Sequence, residues 1–145
     1  MNKESIYILE DRGIIYINGD DAFNYLQNII SNDLVKVTDT QSCFSYLLTP
    51  QGKYLFEFII AKHKNGYFLD CPKYQIDDLY KQLTLYKLRS KVEIANLSNE
   101  FVVAALLKEK FSDFEKNIDA GMTIKFREDP VILDPRCIKL GYLIL

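Results

Sequence analysis

The fold of this chain is decided by residues 42–61, which have the sequence Ser-Cys-Phe-Ser-Tyr-Leu-Leu-Thr-Pro-Gln-Gly-Lys-Tyr-Leu-Phe-Glu-Phe-Ile-Ile-Ala. Two apolar runs flank Thr49-Pro-Gln-Gly52. Proline presets the backbone angle that a turn needs, and glycine tolerates the exit from the turn. The segment therefore predicts a β-hairpin. The second strand is apolar on both faces, which is typical of a central strand covered on both sides.

Glu57 is the only charged residue between Tyr54 and Ala61. Its neighbours on the same strand face are Leu55 and Ile59, because alternate residues of a strand share a face. A carboxylate there must find a cation, accept hydrogen bonds or stay protonated. Two interpretations are open: a structural ion pair, with Arg89 or Lys91 as partner, and a carboxylate that lines a ligand pocket.

The elements along the chain alternate between strands and helices. Strands are expected at Ile6–Leu9 and Gly13–Ile17 as a first antiparallel pair, at Tyr67–Cys71 after an Asn65-Gly66 turn, and at several later apolar runs. Two helices are expected, one capped by Asp20 and one starting at Pro72. Their apolar stripes are Ala22, Phe23, Leu26, Ile29 and Ile30 in the first, and Ile76, Leu79, Tyr80 and Leu83 in the second. The pattern predicts an α+β fold with an antiparallel sheet and flanking helices.

Composition limits the classes of function. The chain has 145 residues, a net charge of -2 and 48% hydrophobic residues. It can form one domain or two small subdomains, with a boundary near residues 38–42. The net charge argues against a nucleic-acid surface and leaves only a local basic groove open, and no apolar run reaches the length of a membrane span. The amino terminus lacks the apolar core of a signal peptide. We expect a cytoplasmic protein that binds neither nucleic acid nor membrane.

Metal and nucleophile chemistry have little support in the sequence. The three cysteines, Cys43, Cys71 and Cys137, are far apart and form no Cys-x-x-Cys pair, so no metal site or disulfide framework is predicted. His63 is the single histidine and is expected in a solvated loop. No Ser-His-Asp or Cys-His set is therefore available.

Three further groups of residues have both a structural and a ligand-binding interpretation. Asn32 and Asp33 suit a helix end or turn, or a pocket. Arg89 and Lys91 suit the carboxyl end of the second helix, or an anion. Aromatic residues near the hairpin suit core packing, or stacking on a flat ligand: Phe44, Tyr46 and Tyr54.

The segment Phe44–Phe58 resembles the central motif of the YgfZ-type folate-binding proteins, which are relatives of the glycine-cleavage T-protein, an aminomethyltransferase. Four more stretches fit the same pattern in order. Leu9–Ala22 resembles the opening strand and its Gly-Asp-Asp-Ala helix start. Tyr25–Leu34 resembles the helix that ends in Thr-Asn-Asp, with Ser31 in place of threonine. Leu85–Ile94 resembles the Tyr-x-Leu-Arg-x-Lys-Val segment, and Asp134–Gly141 resembles the Asp-Pro-Arg…Leu-Gly stretch.

The resemblance implies a T-protein folate-binding fold, tetrahydrofolate as the ligand, and a role in assembling or maintaining iron–sulfur clusters. Iron–sulfur enzymes or assembly proteins are the implied partners. Glu57 stands where the T-protein has its catalytic carboxylate, while Phe56 replaces the first acid of that motif and Lys53 its second glycine. Phe44 stands at an aromatic ligand contact. The predicted cofactor-binding residues are Glu57, Phe44, Asn32, Asp33, Arg89 and Lys91.

The resemblance covers residues 1–145 as the amino-terminal half of the family fold. The family's Lys-Gly-Cys-(Phe/Tyr)-x-Gly-Gln-Glu motif belongs to the second half, so none of the three cysteines inherits its role and part of the folate pocket is expected to be absent. The apolar last residues favour a chain cut from a longer one. Two alternatives are an aminomethyltransferase with Glu57 as its catalytic carboxylate, and an interaction module without folate.

Overall fold

The computed structural model describes residues 6–49, 51–99, 104–106, 123–126, 129–133 and 142–144. Their strands are β1 (Ile6–Ile8), β2 (Arg12–Asn18), β3 (Cys43–Leu48), β4 (Tyr54–His63), β5 (Gly66–Pro72), β6 (Glu93–Asn96), β7 (Ala104–Leu106), β8 (Thr123–Phe126), β9 (Asp129–Leu133) and β10 (Tyr142–Ile144). The two α-helices are α1 (Ala22–Gln27) and α2 (Ile76–Lys87), and short 3-10 helices span Leu34–Lys36 and Lys73–Gln75. Pro50, Cys137 and the Asp134–Gly141 stretch lie outside the described residues.

All of these strands belong to two five-stranded sheets. Within each sheet, every pair of neighbouring strands is antiparallel. The hairpin sheet has the order β3-β4-β5-β2-β6, and the second sheet has the order β1-β7-β10-β9-β8. Strand β9 of the second sheet lies against β4. The predicted α+β class with antiparallel sheets and flanking helices is confirmed.

The predicted hairpin is β3 and β4, and the Thr49–Gly52 turn joins them. The Gly52 amide donates to the Thr49 carbonyl oxygen at 2.8 Å, and the Thr49 amide donates to the Lys53 carbonyl oxygen at 2.8 Å. Gly52 has a φ of 84°, a conformation that favours glycine. The β4–β5 hairpin follows directly, so the three consecutive antiparallel strands are also as predicted.

The centre of β4 is buried on both faces. Phe58 and Ile60 lie in a core with Leu26 of α1 and Leu79 and Leu83 of α2; we call this side the helix face. The opposite face buries Ile14, Ile59, Ala61 and Phe68. The first residues of β4 depart from the prediction, because Tyr54 is 67% exposed and Leu55 is 40% exposed. Both stand beside the turn, at the end of the strand.

The expected pairing of the first two strands is wrong. β1 pairs with β7 in the second sheet, whereas β2 pairs with β5 and β6. The β2–β5 register runs over seven residue pairs, from Arg12 opposite Pro72 to Asn18 opposite Gly66. A long ladder in the middle of a sheet satisfies more backbone groups than a three-residue pairing with β1.

The helix predictions need five corrections. Helix α2 begins at Ile76 rather than at Pro72, which ends β5. Asp21, not Asp20, precedes α1, and its side chain makes no cap hydrogen bond. Phe23 is exposed, and Tyr25 takes its place in the core with its hydroxyl donating to the Leu83 carbonyl oxygen. Helix α1 ends before Ile29 and Ile30, and Ile30 forms a β-bridge with Leu47. In α2 the buried residues are Ile76, Leu79 and Leu83, whereas Tyr80 is exposed.

His63 is buried rather than solvated, a further correction. Its ring stacks on Phe68 with centroids 4.3 Å apart and meets the Tyr16 ring edge-on at 5.9 Å. The residue ends β4 opposite Gly66, so it belongs to the strand and not to the loop. An aromatic ring in this position adds to packing on the opposite face.

Among the described residues no helix has both the length and the apolar character to cross a bilayer. A tight turn pairs Thr38 with Gln41. A subdomain boundary near residues 38–42 stays a prediction.

Replacing Gly66 by alanine should destabilise the fold. The β4–β5 turn is made by Lys64 and Asn65, one residue earlier than predicted, and Gly66 lies opposite Asn18 in the ladder. An added Cβ would overlap the Ile17 carbonyl oxygen and lie 2.8 Å from the Asn18 Cβ. We expect a loss of about 1–3 kcal/mol in the free energy of unfolding, measured by urea denaturation.

The matched control is Gly52→Ala, where an added Cβ has nothing within 4 Å and only the positive φ opposes it. Its cost should be about 1 kcal/mol. A Gly66→Ala variant as stable as Gly52→Ala would contradict the close approach of β2 to β5.

Candidate functional site

Glu57 lies on β4 directly opposite Tyr46 of β3, and its side chain is partly exposed. Among the residues that the structure describes, no hydrogen bond or ion pair engages its carboxylate. The alternation along β4 puts it on the same side as Ile59, which is the opposite face. A contact between this carboxylate and a ligand stays a prediction.

Phe44, Tyr46 and Tyr54 form an aromatic row on the same side. The rings of Phe44 and Tyr46 meet edge to face with centroids 5.2 Å apart, and those of Tyr46 and Tyr54 stack at 4.5 Å with an interplanar angle of 13°. The register of β3 and β4 shifts between Leu47 and Leu48, which brings Tyr54 to Tyr46 instead of to the side of Phe56. Strict alternation along β4 would place Tyr54 on the side of Phe56, and the shift of register changes this.

Asn32 and Asp33 are engaged in local hydrogen bonds. The Asn32 Nδ2 donates to the Phe44 carbonyl oxygen at 3.0 Å, which ties the loop to the outer edge of β3. The Asp33 Oδ1 accepts from the Val35 amide at 3.0 Å and caps the first 3-10 helix. Asn32 and Asp33 thus have the structural role that was one of their two interpretations, and their contact with a ligand stays a prediction.

Arg89 and Lys91 are exposed and lie between α2 and β6. The Lys91 amide donates to the Asp21 Oδ2 at 2.7 Å, and the Asp21 amide donates to the Lys91 carbonyl oxygen at 3.2 Å. Strand β6 is three positions from β4 in the hairpin sheet, roughly 14 Å at the usual spacing of strands. The sheet order explains why neither cation forms the ion pair with Glu57 that the sequence left open.

A second acid was not predicted. Asp70 on β5 is fully buried between Ile14 and Ile59, its neighbours in the ladder. The Arg12 Nε donates to Asp70 Oδ1 at 2.9 Å, and the Arg12 guanidinium also donates to the Asp70 carbonyl oxygen at 3.0 Å. The signal was present in the sequence, because Asp70 interrupts an apolar strand in the same way as Glu57 does.

Cys43 and Cys71 are buried and free. Burial raises the pKa of the Cys43 thiol to about 11 and that of the Cys71 thiol to about 12. Both therefore stay protonated at neutral pH, and neither is suited to act as a nucleophile. No group of three or more metal-ligating side chains occurs among the described residues.

The fold is that of the T-protein aminomethyltransferases. The crystal structure of the glycine cleavage system aminomethyltransferase T from Bartonella henselae superposes with a TM-score of 0.77 and 16% sequence identity. The superposition covers 96% of this chain and 40% of the other. The fold predicted from the family resemblance is confirmed.

Two groups of curated proteins are homologous to the chain. An aminomethyltransferase of Caldanaerobacter subterraneus is 29% identical over 128 residues, covering 86% of this chain and 34% of that protein. The mitochondrial iron–sulfur cluster assembly factor IBA57 homolog of Dictyostelium discoideum is 25% identical, covering 99% of this chain and 41% of that protein. The chain thus spans between a third and a half of these relatives.

The resemblance drawn from the motifs is confirmed by these relatives: the chain is homologous both to IBA57-type assembly factors, which are YgfZ-like, and to aminomethyltransferases. No family model matches the chain.

Replacing Arg12 by methionine should destabilise the fold strongly, since the buried Asp70 carboxylate loses its cation while the length of the side chain is kept. We expect a loss of about 3 kcal/mol in the free energy of unfolding by urea denaturation. The exposed Arg89→Met serves as control and should change stability by about 0.5 kcal/mol or less. Equal free energies of unfolding for the two variants would contradict a stabilising role for the Arg12–Asp70 ion pair.

Cys43 and Cys71 should resist thiol reagents in the folded protein. In a Cys137→Ser background at pH 8, we expect Ellman's reagent to label them slowly in buffer and rapidly in denaturant. Their raised pKa values give stability that is present below about pH 9 and lost as the pH rises toward the folded values, because the unfolded chain ionises first. Rapid labelling of the native protein would contradict their burial.

Proposed function

We propose that the chain is the folate-binding part of an iron–sulfur cluster assembly or repair factor, and that Glu57 and the aromatic row hold tetrahydrofolate. The relatives of the chain support this proposal, because one group of them is named as iron–sulfur cluster assembly factors. Iron–sulfur enzymes or assembly proteins are then the proposed partners.

The observation that carries the proposal is a carboxylate without a partner among the described residues, set opposite Tyr46 in a row of aromatic rings. The pterin end of a folate is flat and presents neighbouring N–H donors. A carboxylate can accept two such donors in parallel, and aromatic side chains can stack on the ring. The residues present therefore fit the pterin.

Four of the six predicted residues have a place at the pterin in this proposal. Glu57 accepts hydrogen bonds from the pterin, and Phe44 contributes an apolar wall. Asn32 acts through its bond to the Phe44 carbonyl oxygen, which holds the strand that carries the aromatic rings, and Asp33 supports that loop. Arg89 and Lys91 lie beside β6, three strand spacings from β4, and their contact with the ligand stays a prediction.

Tetrahydrofolate carries one-carbon groups when it is bound by enzymes that transfer them. For the aminomethyltransferase alternative, Glu57 would be the catalytic carboxylate that handles a proton on the folate. The altered motif favours the assembly factor. Phe56 replaces the first acid and packs into the helix-face core, and the exposed Lys53 replaces a glycine.

A location in the cytoplasm remains our proposal from composition. The relatives of the assembly-factor group carry the word mitochondrial in their names, which describes those proteins.

Titration calorimetry with tetrahydrofolate under anaerobic conditions tests the site. We expect the chain to bind, and Glu57→Gln to bind roughly 10- to 100-fold more weakly, because a charged hydrogen bond is lost. The matched control is Glu93→Gln, an exposed carboxylate on β6 that should leave affinity unchanged.

The absence of binding to the unaltered chain would overturn the folate proposal and favour an interaction module. Equal affinity of the Glu57→Gln variant would remove Glu57 from the site. Conversion of tetrahydrofolate in a reconstituted glycine-cleavage reaction would favour the aminomethyltransferase.

A further inference from the structure

An apolar cleft lies on the helix face, between the carboxyl end of α2 and the β3–β4 turn. Its larger part has a volume of about 490 Å³ and is lined by residues that include Ile29, Leu48, Leu85 and Leu88. A smaller part of about 370 Å³ shares Leu85 and adds Tyr80, Lys81 and Thr84. We call the two parts together the α2 cleft. Neither Glu57 nor the aromatic row contributes to it, so it is separate from the proposed folate site.

The leucines of the cleft stand out into solvent. Leu85 is 64% exposed and Leu88 is 86% exposed. Leu88 follows α2 with φ 46° and ψ -113°, a backbone conformation that bulky residues avoid. Helices commonly place glycine at such a left-handed end. A large apolar side chain that is both exposed and held in a strained conformation indicates a contact surface.

The charged residues in the segments that form the cleft are all basic. Residues 28–31, 48–54 and 79–91 contain no aspartate or glutamate, and their charged residues are Lys53, Lys81, Lys87, Arg89 and Lys91. Asp77 and Asp78 in the first turn of α2 precede Lys81 by four and three residues, so the positive charge is concentrated at the carboxyl end of α2, around Lys87 and Arg89. An acidic occupant is favoured by this distribution.

We propose that the α2 cleft docks an amphipathic helix of a partner protein, with leucine-type side chains in the cleft and acidic side chains facing Lys81, Lys87 and Arg89. Thr84 and Leu85 follow Lys81 by three and four residues, so these side chains share one side of α2 and form a ridge. Helices pack by setting such ridges into each other's grooves.

A small-molecule ligand suits the cleft less well. Pockets for small molecules enclose most of the ligand surface and carry a few converging polar groups. The α2 cleft has two mainly exposed leucines at its rim, which leaves it open. Exposed apolar anchors surrounded by charges are the arrangement of a protein–protein contact.

The probe is a fluorescein-labelled synthetic helix of about 18 residues, with leucine at positions i, i+3, i+4 and i+7 and glutamate elsewhere. Fluorescence anisotropy should show saturable binding to the full chain that weakens as salt is added. Leu88→Ser and Arg89→Glu should each weaken binding about tenfold or more. The matched controls, Tyr74→Ser and Lys73→Glu, alter exposed residues at the other end of α2 and should have no effect.

Three results would overturn the proposal: no saturable binding, equal binding of a peptide with lysine in place of glutamate, or equal binding by the Leu88→Ser variant. Sedimentation velocity supplies a fourth test. A dimer that Leu88→Ser dissociates would show that a second copy of the chain covers the cleft. Glu57→Gln should leave peptide affinity unchanged, so a failure here is distinguishable from a failure of the folate site.

Discussion

The structure depends on the burial of β4 on both of its faces. Phe58 and Ile60 meet the helices, while Ile59 and Ala61 lie in the core of the opposite face. A strand in this position must be apolar throughout its centre, and its neighbours β3 and β5 must satisfy its backbone groups. Both helices and the hairpin sheet are assembled around these four residues.

This constraint also explains where polar chemistry can occur. The helix face of the sheet buries apolar side chains and no acid among the described residues, whereas the opposite face carries Glu57, which is partly exposed, and Asp70, which is buried. Asp70 is balanced by Arg12, and burial of that pair makes it part of the structure. Glu57 has no such partner among the described residues, and this contrast is the reason for proposing Glu57, rather than Asp70, as the carboxylate that binds a ligand.

The parts of the fold that were predictable are those coded by neighbouring residues. The Thr49–Gly52 turn and the alternation in β4 predict the hairpin, and the spacing of Ile76, Leu79 and Leu83 predicts α2. The partner of β1 was not predictable, since its choice of β7 depends on residues almost a hundred positions away. Glu57 forms no ion pair with Arg89 or Lys91 because of the order of the strands in the sheet, and local sequence patterns do not encode that order. Asp70 was foreseeable from its isolation in an apolar strand.

The irregularity between Leu47 and Leu48 has a consequence for how this surface can change over evolution. The pairing of β3 with β4 shifts by one residue at this point. Because of the shift, the ring of Tyr54 lies next to that of Tyr46 and continues the line that Phe44 and Tyr46 begin. The continuity of the aromatic line is therefore controlled by the number of residues around the turn as well as by their identity. A relative that keeps all three rings but has a turn one residue shorter would present a broken line and a surface of different shape.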